Sequence, residues 1–211
     1  MMAAPIDHNI QSISLHKNVP ILWHFYVFPF VLIYATWLYL WTIVYGIDEY
    51  WELGLIALAV IGIIHILVCL SCYWSVHIRA KLTTRKVKEV TDATFAKVIP
   101  TANNGSAEIV TIYQGSEKAW FIFQKIKYMC DLSEKKQFAA VDFPVAEPFS
   151  VYNSSKGLED MEVVKAKMIY NDNALQMDIP PFLELFIERA TAPFFVFQVF
   201  CVGLWCLDEY W

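Results

Sequence analysis

Three long stretches of this chain carry no formal charge, and that bounds its fold more tightly than any other feature. No Asp, Glu, Lys or Arg occurs from Val19 to Ile47, from Leu53 to Val76 or from Ala190 to Leu207. Ile21 to Val44 and Leu53 to Val76 are apolar runs of 24 residues each. As helices they would be about 36 Å long at ~1.5 Å per residue, against a hydrocarbon core of ~30 Å. The first is too long for a signal-peptide core of ~7–15 residues, and no small-x-small cleavage site comes after it, so it reads as a signal anchor. Only Ile47 to Trp51 separates the two, so they form a tight hairpin, with Trp37, Trp41, Tyr45, Tyr50 and Trp51 at its turn as an interfacial aromatic belt. Pro20 suits a first helical turn, and Pro29 is expected to kink the first span or to sit where the carbonyl it frees finds a partner. The third run, 190–207, is 18 residues long, near the lower limit for crossing, with Pro193 at its entry and Trp205, Tyr210 and Trp211 at its exit. Apolar residues make up 57% of the chain and charged ones 18%, against roughly 45–50% and 25% for soluble proteins, and these runs hold the excess.

The charges orient the spans. All sixteen Lys and Arg are either Lys17 or lie between Arg79 and Arg189. The connector Gly46 to Glu52 holds Asp48, Glu49 and Glu52, and the C-terminal end holds Asp208 and Glu209; neither has a base. Arg79, Lys81, Arg85, Lys86 and Lys88 come just after the second span, which the positive-inside rule makes the cytosolic end. The N-terminus and the middle region then face the cytosol. The sequons at Asn104 (Asn104-Gly105-Ser106) and Asn153 (Asn153-Ser154-Ser155) fall there, and neither is expected to be glycosylated. A net charge of −5 does not suggest nucleic acid.

The middle region is large enough for a small core. Residues 93–99, 107–113, 119–129 and 137–143 read as strands, rich in β-branched and aromatic residues and bounded by turn signals at Asn103-Asn104-Gly105 and Gln114-Gly115-Ser116. In 119–129, taken as one strand, Trp120, Ile122, Gln124, Ile126 and Tyr128 share one mainly apolar face, and Phe121, Phe123, Lys125 and Lys127 the mixed opposite one. Pro144 and Pro148 close this block, 153–157 reads as a loop, and 158–169 as a short surface helix. Pro180-Pro181 opens a second amphipathic helix, 182–188, placed to lie on the membrane surface.

Residues that invite a chemical role have plainer readings. Cys69 and Cys72 have CxxC spacing, but an apolar span lacks the partners that a thiolate or metal site needs, so both read as small hydrophobes. Their companions Cys130, Cys201 and Cys206 suggest nothing further. His65 within the second span is read as a hydrogen-bonding histidine, with proton or substrate handling as the alternative. Gln198 in the third span reads as a packing residue, with a substrate path as the alternative. The basic run Arg79–Lys88 reads as a stop-transfer signal, with anionic lipid binding as the alternative. The other histidines (His8, His16, His24, His77) are scattered. No Walker-type glycine loop, HExxH or GxSxG occurs, so no catalytic, cofactor-binding or metal-ligating residue is assigned.

Certain strings are more specific. Pro180-Pro181-Phe182, then Glu188-Arg189-Ala190-Thr191-Ala192-Pro193-Phe194-Phe195-Val196-Phe197-Gln198-Val199-Phe200 and Leu207-Asp208-Glu209-Tyr210-Trp211, closely resemble the entry into the first core membrane helix of P5A-type ATPases. These are the endoplasmic-reticulum transmembrane-helix dislocases. Trp74-Ser75-Val76-His77 is similar to the exit from that family's second N-terminal helix. Ala93-Thr94-Phe95, Asn103-Asn104-Gly105-Ser106, Phe123-Gln124-Lys125-Ile126-Lys127-Tyr128 and Glu134-Lys135-Lys136-Gln137-Phe138 are similar to its N-terminal β-rich domain. The resemblance implies two extra N-terminal helices, a cytosolic domain beside an actuator domain, and a ten-helix P-type core. It also implies an activity in which ATP, with Mg²⁺, phosphorylates an Asp and the cycle extracts mislocalised or misinserted helices from the endoplasmic reticulum membrane. Neither the Asp-Lys-Thr-Gly motif nor the Thr-Gly-Glu loop occurs in these 211 residues.

The expected architecture is an α+β membrane protein. It has a cytosolic N-terminal tail (1–20), a transmembrane hairpin (21–76), a cytosolic β-rich domain (79–178), an amphipathic surface helix (179–189) and a first core membrane helix (190–211). It is expected in the endoplasmic reticulum membrane, with the lipid bilayer, the rest of the ATPase core and client transmembrane helices as partners. An incomplete product of a larger ATPase is the expected account of where the chain stops. The alternative is a free-standing, non-catalytic membrane protein that regulates or docks on the full-length pump.

Overall fold

The computed structural model describes residues 6–133, 137–172, 174 and 179–207. Asp208, Glu209, Tyr210 and Trp211, expected at the end of the third span, lie outside the described residues, as does Glu134-Lys135-Lys136. The chain divides into two compact units, one drawn from Met1–His16 and Lys86–Met177, the other from Lys17–Arg85 and Asp178–Trp211.

In the second unit the apolar runs form helices, but not with the expected bounds. A single 3₁₀ turn, Ile21–Trp23, precedes helix α1, Phe28–Tyr39, which continues into a wider π turn, Leu40–Tyr45. Pro29 therefore does not kink the first span; it sits in the opening turn of α1, where its missing N–H removes no helical hydrogen bond. Gly46, at φ +85°, ends the π turn in a conformation that favours glycine. Helix α2 is Trp51–Trp74, stopped by an extended Ser75 whose hydroxyl accepts from Ile78 N–H and caps helix α3, Val76–Thr83. The second span thus begins and ends two residues before the expected 53–76. The aromatic cluster at the turn holds, with Trp41 against Trp51 at 6.0 Å and Tyr45 against Tyr50 at 5.8 Å.

The C-terminal run divides at Thr191–Ala192 into α6, Phe182–Ala190, and α7, Pro193–Leu207, bent by 67°. Pro193 lacks the N–H that would continue α6, so the chain turns there. At ~1.5 Å per residue α7 is about 22 Å long, so the pair reaches across a bilayer only if it counts as one bent span.

The first unit is β-rich, and it draws in residues from before the hairpin. Strand β1, Ile10–Asn18, falls in the expected N-terminal tail, but it pairs antiparallel with β3, Phe95–Pro100. Its alternation is broken by a register irregularity between Ile10 and Ser12, which puts Ile10 out of step with Ile13 and Leu15 although all three pack into the core. The first sheet runs β2-β1-β3-β4, with β2 at Thr84–Lys86 and β4 at Glu108–Thr111. The second runs β5-β6-β7-β8: Tyr113–Gln114, Lys118–Phe123, Ile126–Asp131 and Ala139–Ala140. The expected strands 107–113 and 119–129 are therefore each split. The first divides at Ile112 between sheets. The second folds back at Gln124–Lys125, where φ is +50° and +67°, the backbone of a type I′ hairpin built without glycine. The single-strand face assignment fails with it. Ala119, Phe121 and Phe123 point into the core, while Ile122 is exposed. Of the expected 137–143, only Ala139–Ala140 pairs.

One core joins both sheets: Ile10, Ala96, Val98, Val110, Phe121, Phe123 and Tyr128 are among its buried members. Phe121 stacks on Tyr128 at 5.3 Å. Helix α4, Phe149–Ser154, occupies part of the expected loop, and α5, Asp160–Tyr170, the expected surface helix. Lys127 fastens α5 to the sheet. Its Nζ donates to the Met168 carbonyl (2.8 Å) and to Asn171 Oδ1 (3.2 Å), and it lies 5.4 Å from the Trp120 ring centre. Lys127 is 8% exposed, and burial pushes its pKa down.

His16, in β1, is buried, and its Nε2 lies 3.1 Å from Ser14 Oγ. Burial first, then the Lys97 and Lys86 charges, lower its pKa below the usual 6.5. The unfolded chain therefore binds the proton more readily than the folded one between that lowered pKa and about pH 6.5. The stability of this unit should fall as pH drops through that window, and His16→Gln should flatten the dependence, read as thermal midpoint against pH from Trp120 fluorescence.

Candidate functional site: the helical hairpin

The hairpin is joined where a glycine meets a tryptophan. A methyl group on Gly54 would lie 1.9 Å from Trp41 Cε2, so glycine is what lets the indole reach the α2 backbone. Trp41 is 7% exposed, and its Nε1 has no hydrogen-bond partner among the described residues. One turn back, Trp37 Nε1–H donates to the Gly54 carbonyl at 3.3 Å. Nothing in the sequence singles out Gly54, which is one small residue in an apolar run.

At the other end of the hairpin the readings of His65 separate. Its Nε2–H donates to the Tyr26 carbonyl at 2.9 Å, and its ring stacks on Phe30 at 4.2 Å and 9°. Tyr26 belongs to the irregular stretch before α1, so His65 supplies a donor to that stretch, as the plainer reading expects. His24 does the same locally. Its Nε2–H donates to the Val19 carbonyl (2.9 Å), which leaves Nδ1 to accept from the Tyr26 hydroxyl (3.2 Å). The structure thus links His24, Tyr26 and His65, a grouping that their spacing does not announce.

Trp74, the last residue of α2, donates from Nε1 to the Thr191 carbonyl at 2.7 Å, at the α6–α7 break. Cys69 and Cys72 are free thiols on α2, with Cys72 Sγ–H directed at the Val68 carbonyl (3.6 Å). Gln198 lies on an exposed part of α7. The basic residues Arg79, Lys81 and Arg85 project from α3 and its exit, all exposed. Asn104 is tied down, its Nδ2 donating to Thr101 Oγ1 (2.5 Å), whereas Asn153 in α4 is exposed.

This is a membrane protein in which a two-helix hairpin is followed by a β-rich region. Residues 19–88 match the family model of the P5A-ATPase transmembrane helical hairpin. The endoplasmic reticulum transmembrane helix translocase spfA of Aspergillus fumigatus is 36% identical over 97% of the chain and 17% of its own length. The endoplasmic reticulum transmembrane helix translocase of Saccharomyces cerevisiae is 38% identical over 88% of the chain and 16% of its own length. An Arabidopsis thaliana relative named probable manganese-transporting ATPase PDR2 is 33% identical over 96% of the chain and 18% of its own length. The chain belongs to the P5A-ATPase family. It spans less than a fifth of the length of these relatives.

If the Trp41–Gly54 contact sets the hairpin, Gly54→Ala should lower the thermal midpoint of the detergent-solubilised chain, because the buried indole must move. Adding Trp41→Ala should recover much of that loss. Strict additivity in the double-mutant cycle would show that the two residues act independently.

Proposed function

We propose that this chain is the N-terminal membrane and cytosolic portion of an ATP-driven translocase that removes mislocalised or misinserted transmembrane helices from the endoplasmic reticulum membrane. One observation carries this reading: relatives named endoplasmic reticulum transmembrane helix translocase align along 88–97% of the chain. In this reading α6 lies at the membrane surface, α7 is the first core span, and the N-terminus and β-rich unit face the cytosol. The charge pattern supports that orientation, with every base outside the two acidic ends. ATP and Mg²⁺ act elsewhere in the whole protein. Phosphoryl transfer needs a nucleophile, bound metal and phosphate-holding groups, and no Asp-Lys-Thr-Gly lies in these residues. These 211 residues alone therefore turn over no ATP.

A chimera tests the reading. The matching N-terminal region of the yeast translocase is replaced by this chain, and clearance of a mistargeted tail-anchored reporter from the endoplasmic reticulum is monitored. Restored clearance is expected. A chimera that is expressed and correctly located but clears nothing would favour a separate docking or regulatory protein.

Orientation has its own measurement. Asn153 sits exposed in a sequon, so it would accept a glycan if it reached the lumen. No endoglycosidase-sensitive shift is expected, and an Asn153-dependent shift would reverse the topology.

A further inference from the structure

The two arms of the hairpin are unequal, and the chain turns back at the end of the longer one. The first span covers 18 residues, Phe28–Tyr45, about 27 Å, and α2 covers 24, about 36 Å at ~1.5 Å per residue. His65 meets the Tyr26 carbonyl beside the entry of α1, so residues 66–74 of α2 run on past that level. The extended Ser75 then breaks the helix, and α3 returns the chain until the Leu82 carbonyl accepts from Phe25 N–H at 3.0 Å. The end of α3 is thereby fixed at the entry of α1 rather than left beyond the end of α2.

That return sets two kinds of side chain next to each other. From the turn before α1, Ile21, Leu22, Trp23 and Phe25 project, between 65% and 73% exposed. Arg79, Lys81 and Arg85 project from α3 and its exit, also exposed, and no described carboxylate is ion-paired to them. On α3 only Ala80 is buried, so the cations are turned outward. An apolar, aromatic lip beside cations at the mouth of a membrane helix matches the layered chemistry of a lipid surface, where acyl chains give way to phosphate.

We propose that this corner binds the headgroups of anionic phospholipids. Ile21, Leu22, Trp23 and Phe25 seat among the upper acyl chains, and Arg79, Lys81 and Arg85 take the phosphate and its neighbouring negative charge. The proposal needs the hairpin to be in the membrane but not the translocase activity, so the two can fail separately. Positive charge that serves only to set topology during insertion would show no preference among lipids once the protein is folded.

The test uses the purified chain in micelles holding equal phosphatidylserine and phosphatidylcholine, with retained lipid counted by native mass spectrometry. Phosphatidylserine should be retained at least about fivefold over phosphatidylcholine, roughly the factor given by one cation at an anionic surface. The Arg79→Gln/Lys81→Gln/Arg85→Gln variant should bring the ratio close to one. A control removing three cations elsewhere, Lys118→Gln/Lys156→Gln/Lys165→Gln, should leave it unchanged. If the first variant does not fold, a salt titration of the unaltered chain replaces it, and the preference should shrink as ionic strength rises. A ratio near one in the unaltered chain, an equal loss in the control, or stripping of the lipid by inorganic phosphate at matched ionic strength would overturn the proposal.

Discussion

The absence of water inside the bilayer governs the helical unit, because each carbonyl that a broken helix releases there needs a donor from the protein. In this unit four ring N–H groups donate to backbone carbonyls. Trp37 donates to Gly54, His65 to Tyr26, His24 to Val19 and Trp74 to Thr191. Three of the four acceptors lie where the backbone is not regular α-helix, and the fourth, Gly54, lies in the first turn of α2. Aromatic and imidazole rings suit the task, since each combines an apolar body with one polar edge. The indole donors also avoid the cost of placing a full charge in lipid. The apolar runs therefore hold more internal polar structure than their lack of Asp, Glu, Lys and Arg suggests.

The same physics explains how much can be read from the residues alone. Apolar runs longer than the hydrocarbon thickness are plain in any sequence, and so are the hairpin, the aromatic turn and the helix at Asp160–Tyr170. The finer boundaries depend on particular contacts. Pro29 could kink a helix or start one, and only the irregular backbone at 24–27 decides for a start. Gln124–Lys125 lacks the Asn-Gly or Asp-Gly signature of a tight hairpin, so two strands read as one. His65 is visible as an oddity, but its partner is a backbone carbonyl, which no side-chain pattern reveals. Gly54 is the clearest loss: its role is the space it leaves for Trp41, and an empty space has no sequence signature.

The β-rich unit shows how local strain and long-range pairing are reconciled. Two successive left-handed residues without glycine are unfavourable in themselves. The hairpin they close sets Phe121 on Tyr128 and Phe123 into the same core. Burying such rings is worth a few kcal/mol each, enough to outweigh about 1–2 kcal/mol for each strained residue. Lys127 adds a directional tie by holding the last turn of α5, where Tyr170 also packs on Phe143 at 5.2 Å.

Strand β1 is synthesised before the hairpin and β3 after it, yet the two lie side by side in one sheet. Their pairing works as a parity check on membrane insertion. If either helix failed to cross, the strands would be left in different compartments, and no rearrangement within the domain could unite them. Until β3 emerges, β1 waits as an unpaired edge for the time the ribosome needs to make both spans.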